Sequence, residues 1–123
     1  MALANIQQQS PAQAMMDQII AMQPRLRERS GQNRTDRKVA QATVDELQEL
    51  GFFLALQPRQ YGGLELSPQD FFASQMAIAE GCMSSAWACG IIAVHSFQIA
   101  LMDDRAQQDV WGEDVNTRVS SSY

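Results

Sequence analysis

The sequence holds 123 residues, 46% hydrophobic and 19% charged, the size and mix of one globular domain rather than of a disordered chain. Nine Lys and Arg against fourteen Asp and Glu leave a formal charge of −5, which argues against a general nucleic-acid or anionic-membrane binder. The longest apolar run, Ala86 to Val94, is nine residues, and Met1 to Ser10 carries neither the basic stretch nor the apolar core of a signal peptide, so a cytoplasmic protein with no membrane span is expected.

Helix punctuation dominates the chain. Ser10-Pro11-Ala12-Gln13 is a capping box with proline at the first helical position, and Met15, Ile19, Met22 and Leu26 follow as one apolar stripe. Pro24 is expected to kink or end this first helix. Arg25 to Lys38 then carries six positive and two negative charges around Ser30-Gly31. It reads as a solvated helix end and loop, with a basic contact surface as the alternative.

Thr43-Val44-Asp45-Glu46 predicts a second helix burying Val44, Leu47 and Leu50 and closed by Gly51. Phe52 to Leu56 fits either a strand or a buried connector. Pro58 and Tyr61-Gly62-Gly63 predict a turn in which both glycines permit positive φ. A third helix starts at Ser67-Pro68 and is expected to pack through Phe72, Met76 and Ala79 before ending near Gly81. The fourth, capped by Ser84 or Ser85, runs to about Met102, and a short fifth, capped at Asp103 or Asp104, stops at Gly112. From Thr117 to Tyr123, β-branched residues and a serine triplet look like a first strand. The fold class is therefore all-α with about five helices over residues 1–116 and the start of a β-domain at 117–123.

Cys82 and Cys89 are too few for a disulfide scaffold, and their spacing fits no zinc motif. With one histidine in the chain, no metal site is expected and both cysteines read as buried thiols. That histidine, His95, lies on a stripe with Trp87 and Ile91 at spacings of four. On so apolar a helix it is either a core residue with a satisfied partner or a pocket-facing base, and in the second case Trp87 is a pocket wall. No Gly-x-Ser-x-Gly, dinucleotide fingerprint or P-loop is present.

Leu50-Gly51-Phe52-Phe53, Leu56-Gln57-Pro58 and Tyr61-Gly62-Gly63-Leu64-Glu65 together resemble the N-terminal signature of the acyl-CoA dehydrogenase superfamily. Ile78 to Trp87, Val94 to Ala100, Asp103 to Gln107, Val110-Trp111-Gly112 and Ser120 to Tyr123 are similar to its two-component flavin-dependent aromatic monooxygenases, of the p-hydroxyphenylacetate 3-hydroxylase type. The resemblance implies the first of three domains, ahead of a β-domain and a tetramer-forming helical bundle. It also implies reduced FMN or FAD from a separate flavin reductase, and hydroxylation of a phenol-like ring by O₂ through a C4a-hydroperoxyflavin. By the same resemblance His95 is the catalytic residue, Ser121 and Trp87 bind substrate, and Ser122 and Tyr123 contact the cofactor. An acyl-CoA dehydrogenase-type oxidoreductase and a non-catalytic helical interaction domain are the alternatives; dehydrogenases carry Thr-Glu where this chain has Ser-Ser-Ser-Tyr.

Overall fold

A computed structural model describes residues 8–121. Five helices, α1 (Pro11–Asp36), α2 (Gln41–Glu49), α3 (Pro68–Gly81), α4 (Met83–Ala100) and α5 (Asp104–Trp111), account for most of them, with 3₁₀ turns at Phe52–Leu54 and Arg59–Tyr61. Three caps form as the sequence predicts: the side chains of Ser10, Ser67 and Asp103 accept from the backbone N–H of Gln13, Asp70 and Ala106.

Pro24 does not end α1. The helix continues through it to Asp36, so Arg25 to Asp36 is helical rather than loop. An internal proline costs about 3 kcal/mol. Burial of Met15, Ile19, Met22 and Leu26 against the rest of the core outweighs that cost. Buried Gln23 adds a hydrogen bond from Nε2 to the Ala77 carbonyl of α3 at 2.8 Å. At Gly81, an added Cβ would lie 2.8 Å from Leu26 Cβ, so the glycine lets α1 and α3 meet closely.

Two other helix starts differ from expectation. The α2 helix begins at Gln41 with Ala40 as its N-cap. Thr43 is therefore inside the first turn, fully buried, and its Oγ1 accepts from Arg29 rather than capping. The N-cap of α4 is Cys82, not Ser84 or Ser85. On α3 the inner face is Phe71, Ser74, Ala77, Ile78 and Gly81, whereas Phe72 and Met76 are 50% and 69% exposed. Small residues on that face allow α3 to lie close to its neighbours.

Phe52 to Leu56 is a buried connector: Phe52 stacks on Phe71 with ring centroids 5.4 Å apart. The connector folds back on itself, with Leu64 N–H donating to Leu54 O and Leu66 N–H to Ala55 O. Of the two glycines in its turn, only Gly62 has positive φ (78°). Gly63 is required instead by space, because an added Cβ would collide with the backbone of Gln57.

By length and composition α4 is apolar enough to cross a membrane, with 18 residues of mean hydropathy 1.2. The nine-residue run understated this. One face of it packs into the core: Gln75 Nε2 on α3 donates to the Ala86 carbonyl at 3.1 Å, and Ala86, Cys89 and Ala93 are buried there. Residues 117–121 carry no strand among the described residues.

Candidate functional site

The fourth helix places the one histidine. Successive i+4 steps advance about 40° around a helix. The Trp87–Ile91–His95 stripe therefore turns from solvent into the protein: the three residues are 68%, 38% and 5% exposed. His95 is thus buried, one turn from the helix end, and needs a hydrogen-bond partner there.

The C-terminal tail supplies that partner. Gln57, itself buried, donates from Nε2 to the carbonyls of Tyr61 and Val115, both at 2.7 Å, and so holds the tail across the connector. Arg118 then lies over the Phe53 ring at 4.7 Å and donates to Gln48 Oε1. Three residues later, Ser121 Oγ lies 2.9 Å from His95 Nε2. Two residues 26 apart in the chain are joined in this way, one buried and one exposed. His95 Nδ1 is buried with no hydrogen-bond partner among the described residues. The pair therefore has one committed nitrogen, one uncommitted nitrogen and a hydroxyl open to solvent.

Trp87 is not brought to this pair. Two turns N-terminal to His95, about 12 Å along the axis, its indole lines a separate cleft with Arg34, Arg37 and Lys38. Ser122 and Tyr123 lie outside the described residues. The thiols are free and buried, as expected. Burial pushes the Cys89 thiol up to about 11. Burial also raises the Cys82 thiol, but hydrogen bonds from Ser84, Ser85 and Asn33 outweigh it and the net shift is downward.

Asn33 is a site-shaping residue that sequence reasoning missed. Buried at the end of α1, it donates from Nδ2 to Ser85 Oγ (3.2 Å) and Cys82 Sγ (3.7 Å) and accepts from Ala40 N–H through Oδ1 (2.9 Å). It locks together the end of α1, the start of α2 and the start of α4. A lone asparagine in a charged stretch gives no local signal of this.

Comparison with known proteins places these features. The chain is 42% identical over 116 residues to the flavin-dependent monooxygenase oxygenase subunit HsaA of Mycobacterium tuberculosis, covering 94% of this chain and 29% of that protein. It is 32% identical over 109 residues to the oxygenase component of p-hydroxyphenylacetate 3-hydroxylase from Acinetobacter baumannii, covering 89% and 26%. The crystal structure of the M. tuberculosis HsaA monooxygenase superposes with a TM-score of 0.86 over 91% of this chain and 30% of that one. The chain thus spans under a third of the length of these relatives. The family profile for the acyl-CoA dehydrogenase N-terminal domain matches residues 8–116, which takes in all five helices and the Gly62-Gly63 turn. With the whole helical frame so matched, the chain belongs to the acyl-CoA dehydrogenase family as an N-terminal domain.

Proposed function

We propose that this domain forms part of a reduced-flavin-dependent monooxygenase that hydroxylates a phenol-like ring, with His95 and Ser121 handling the phenolic proton. The observation that carries the reading is the 2.9 Å contact between His95 Nε2 and Ser121 Oγ, with Nδ1 buried and uncommitted. The 42% identity to an oxygenase subunit supports it.

Acting as a base requires the tautomer with the proton on Nδ1, so that Nε2 accepts from the Ser121 hydroxyl. The exposed Ser121 oxygen then accepts the substrate's O–H. As the phenolic proton moves to Ser121, the serine's own proton moves to Nε2. Loss of that proton raises electron density on the ring carbons ortho and para to the oxygen, which favours attack on an electrophilic oxygen. A positioned acid–base group of this kind contributes roughly 10²–10⁴-fold. Exposed Ile91 and Trp87 continue the stripe N-terminal to His95 as apolar surface, and the resemblance, not a contact, assigns Trp87 to the substrate. Bound reduced flavin supplies the electrons that activate O₂. Ser122 and Tyr123 are assigned to its edge by family resemblance. In this reading the whole enzyme is a cytoplasmic homotetramer served by a separate flavin reductase, with FMN or FAD as the carrier.

The test is coupling. With the whole oxygenase, reductase and substrate, His95→Ala should leave reduced-flavin binding unchanged and lower hydroxylation roughly 10²–10⁴-fold. Oxygen should then be consumed mainly to hydrogen peroxide. Unchanged coupling with only a lower melting temperature would make His95 a structural residue.

A further inference from the structure

The basic stretch at the end of α1 is not absorbed by the His95 site. Of its six cations, Arg25 and Arg29 are committed to Glu46, at 2.7 and 2.6 Å. Arg34, Arg37 and Lys38 make no ion pair among the described residues and line one open cleft of about 890 Å³ with Met83, Ser84 and Trp87. That volume lies in the range of small-molecule sites. No acidic side chain lines the cleft among the described residues.

Two further features favour an anion there. Arg37, the C-cap of α1, sits in the left-handed region (φ 55°), where glycine is the cheaper residue, and this conformation accompanies a guanidinium at the cleft. The first turn of α4 lines the same cleft through Met83 and Ser84 and holds no acidic residue, with the Ser85 N–H taken up by the Cys82 thiol at the N-cap. The half-open rim is the Trp87 indole, 68% exposed, a flat apolar surface beside concentrated positive charge. Cations plus an exposed indole suit a phosphate carried on a planar ring.

We propose that this cleft binds a nucleoside phosphate, its phosphate held by Arg34, Arg37 and Lys38 and its ring against Trp87. The site stands independently of the His95–Ser121 reading. The ligand is a nucleotide other than the flavin of the proposed reaction, and competition with FMN separates the two.

Calorimetric titration of the 123-residue chain with AMP, adenosine, inorganic phosphate and FMN, at fixed ionic strength, tests the proposal. AMP should bind, adenosine at least about 10-fold more weakly, and AMP should quench Trp87 emission in a way lost in Trp87→Phe. Arg34→Gln should weaken AMP about 10-fold, the loss of one charge-assisted hydrogen bond, while Arg34→Lys restores part of it. Arg37→Gly should weaken AMP similarly while keeping or raising the melting temperature, since the backbone strain is relieved; a cation serving only the α1 dipole would show no binding change. AMP binding that FMN does not displace at equal concentration supports the proposal; displacement by FMN returns the cleft to the flavin and overturns it. Equal binding of adenosine and AMP, or absence of AMP binding up to roughly 10 mM, overturns it. So does a loss in Arg27→Gln, outside the cleft, as large as in Arg34→Gln, because that is general surface attraction.

Discussion

Gly63→Ala tests the link between the connector turn and the site. The residue has no positive φ, so backbone preference gives no reason for glycine there. The reason is space: an added Cβ would lie 2.5 Å from Gln57 Cβ and closer still to the Gln57 carbonyl, inside the 3.0 Å that real Cβ contacts respect. Relief requires backbone movement of Gln57, which is 1% exposed and makes three hydrogen bonds at stake: Nε2 to Tyr61 O and to Val115 O, and its carbonyl from Glu65 N–H. At about 1 kcal/mol net each, with some desolvation cost where a buried group loses its partner, the substitution should cost about 3–4 kcal/mol. Urea unfolding followed by far-UV circular dichroism measures it. Because Val115 is the anchor that directs the tail toward His95, the variant should also free the Ser121 hydroxyl, visible as a changed His95 ring signal in NMR. Gly31→Ala is the control: it sits in α1 with nothing within 4 Å of an added Cβ. It should stabilise by about 0.5–1 kcal/mol through helix propensity. A Gly63→Ala cost below about 1 kcal/mol would show that the turn yields easily and does not hold the tail.

Other expectations follow from the charged and thiol groups. Burial alone would raise the Glu46 carboxyl, but hydrogen bonds and charge from Arg29 and Arg25 outweigh it and hold it below 4.5. Its contribution is therefore present above pH 4.5 and lost as pH falls through the lowered folded value; Glu46→Gln should remove that part of the acid slope and about 0.5–1 kcal/mol at neutral pH, since Arg25 is half exposed. Iodoacetamide at pH 8 should label Cys82 before Cys89, because one thiol is lowered by its hydrogen bonds and the other is raised to about 11. Peptide mass spectrometry reads the order, and equal or reversed labelling would contradict the assignment.

Local chemistry was legible in the sequence and long-range chemistry was not. Ser10, Ser67 and Asp103 announce their helices because each cap hydrogen bond joins residues three apart. Thr43 carries the same pattern, but Arg29 on another helix takes its hydroxyl, and the helix is capped three residues earlier, at Ala40. Pro24 is a local stop signal overridden by a buried stripe on both sides of it. On α3, apolarity pointed to Phe72 and Met76, while the buried face includes Ser74 and Gly81, whose value is closeness of approach rather than hydrophobicity. His95 was singled out by its setting. Its bond to Ser121 depends on a tail path fixed by Gln57 and Arg118, which no spacing rule reports, so Ser121 entered only through family resemblance.

The same helix carries both proposed sites. A helix hydrophobic all round is normally buried all round, yet only a third of the α4 window is buried here. The core takes Ser85, Ala86, Cys89, Gly90 and Ala93, mostly small side chains that let α3 approach, with Gly90 leaving room for Gln75. The larger apolar residues divide: Ile92 and Val94 pack half-buried against the core, while Met83, Trp87 and Ile91 stay exposed. Leaving Met83, Trp87 and Ile91 exposed forgoes apolar burial that stability alone would favour. One end of the stripe, Trp87, borders the cationic cleft, and the other, His95, turns inward to Ser121, so the two proposed sites lie at opposite ends of it. If Trp87 binds substrate, as family resemblance implies, Trp87→Gln in the whole oxygenase should weaken substrate binding while Ile91→Gln, outside the cleft, changes it less; unchanged binding in Trp87→Gln would remove Trp87 from the substrate site.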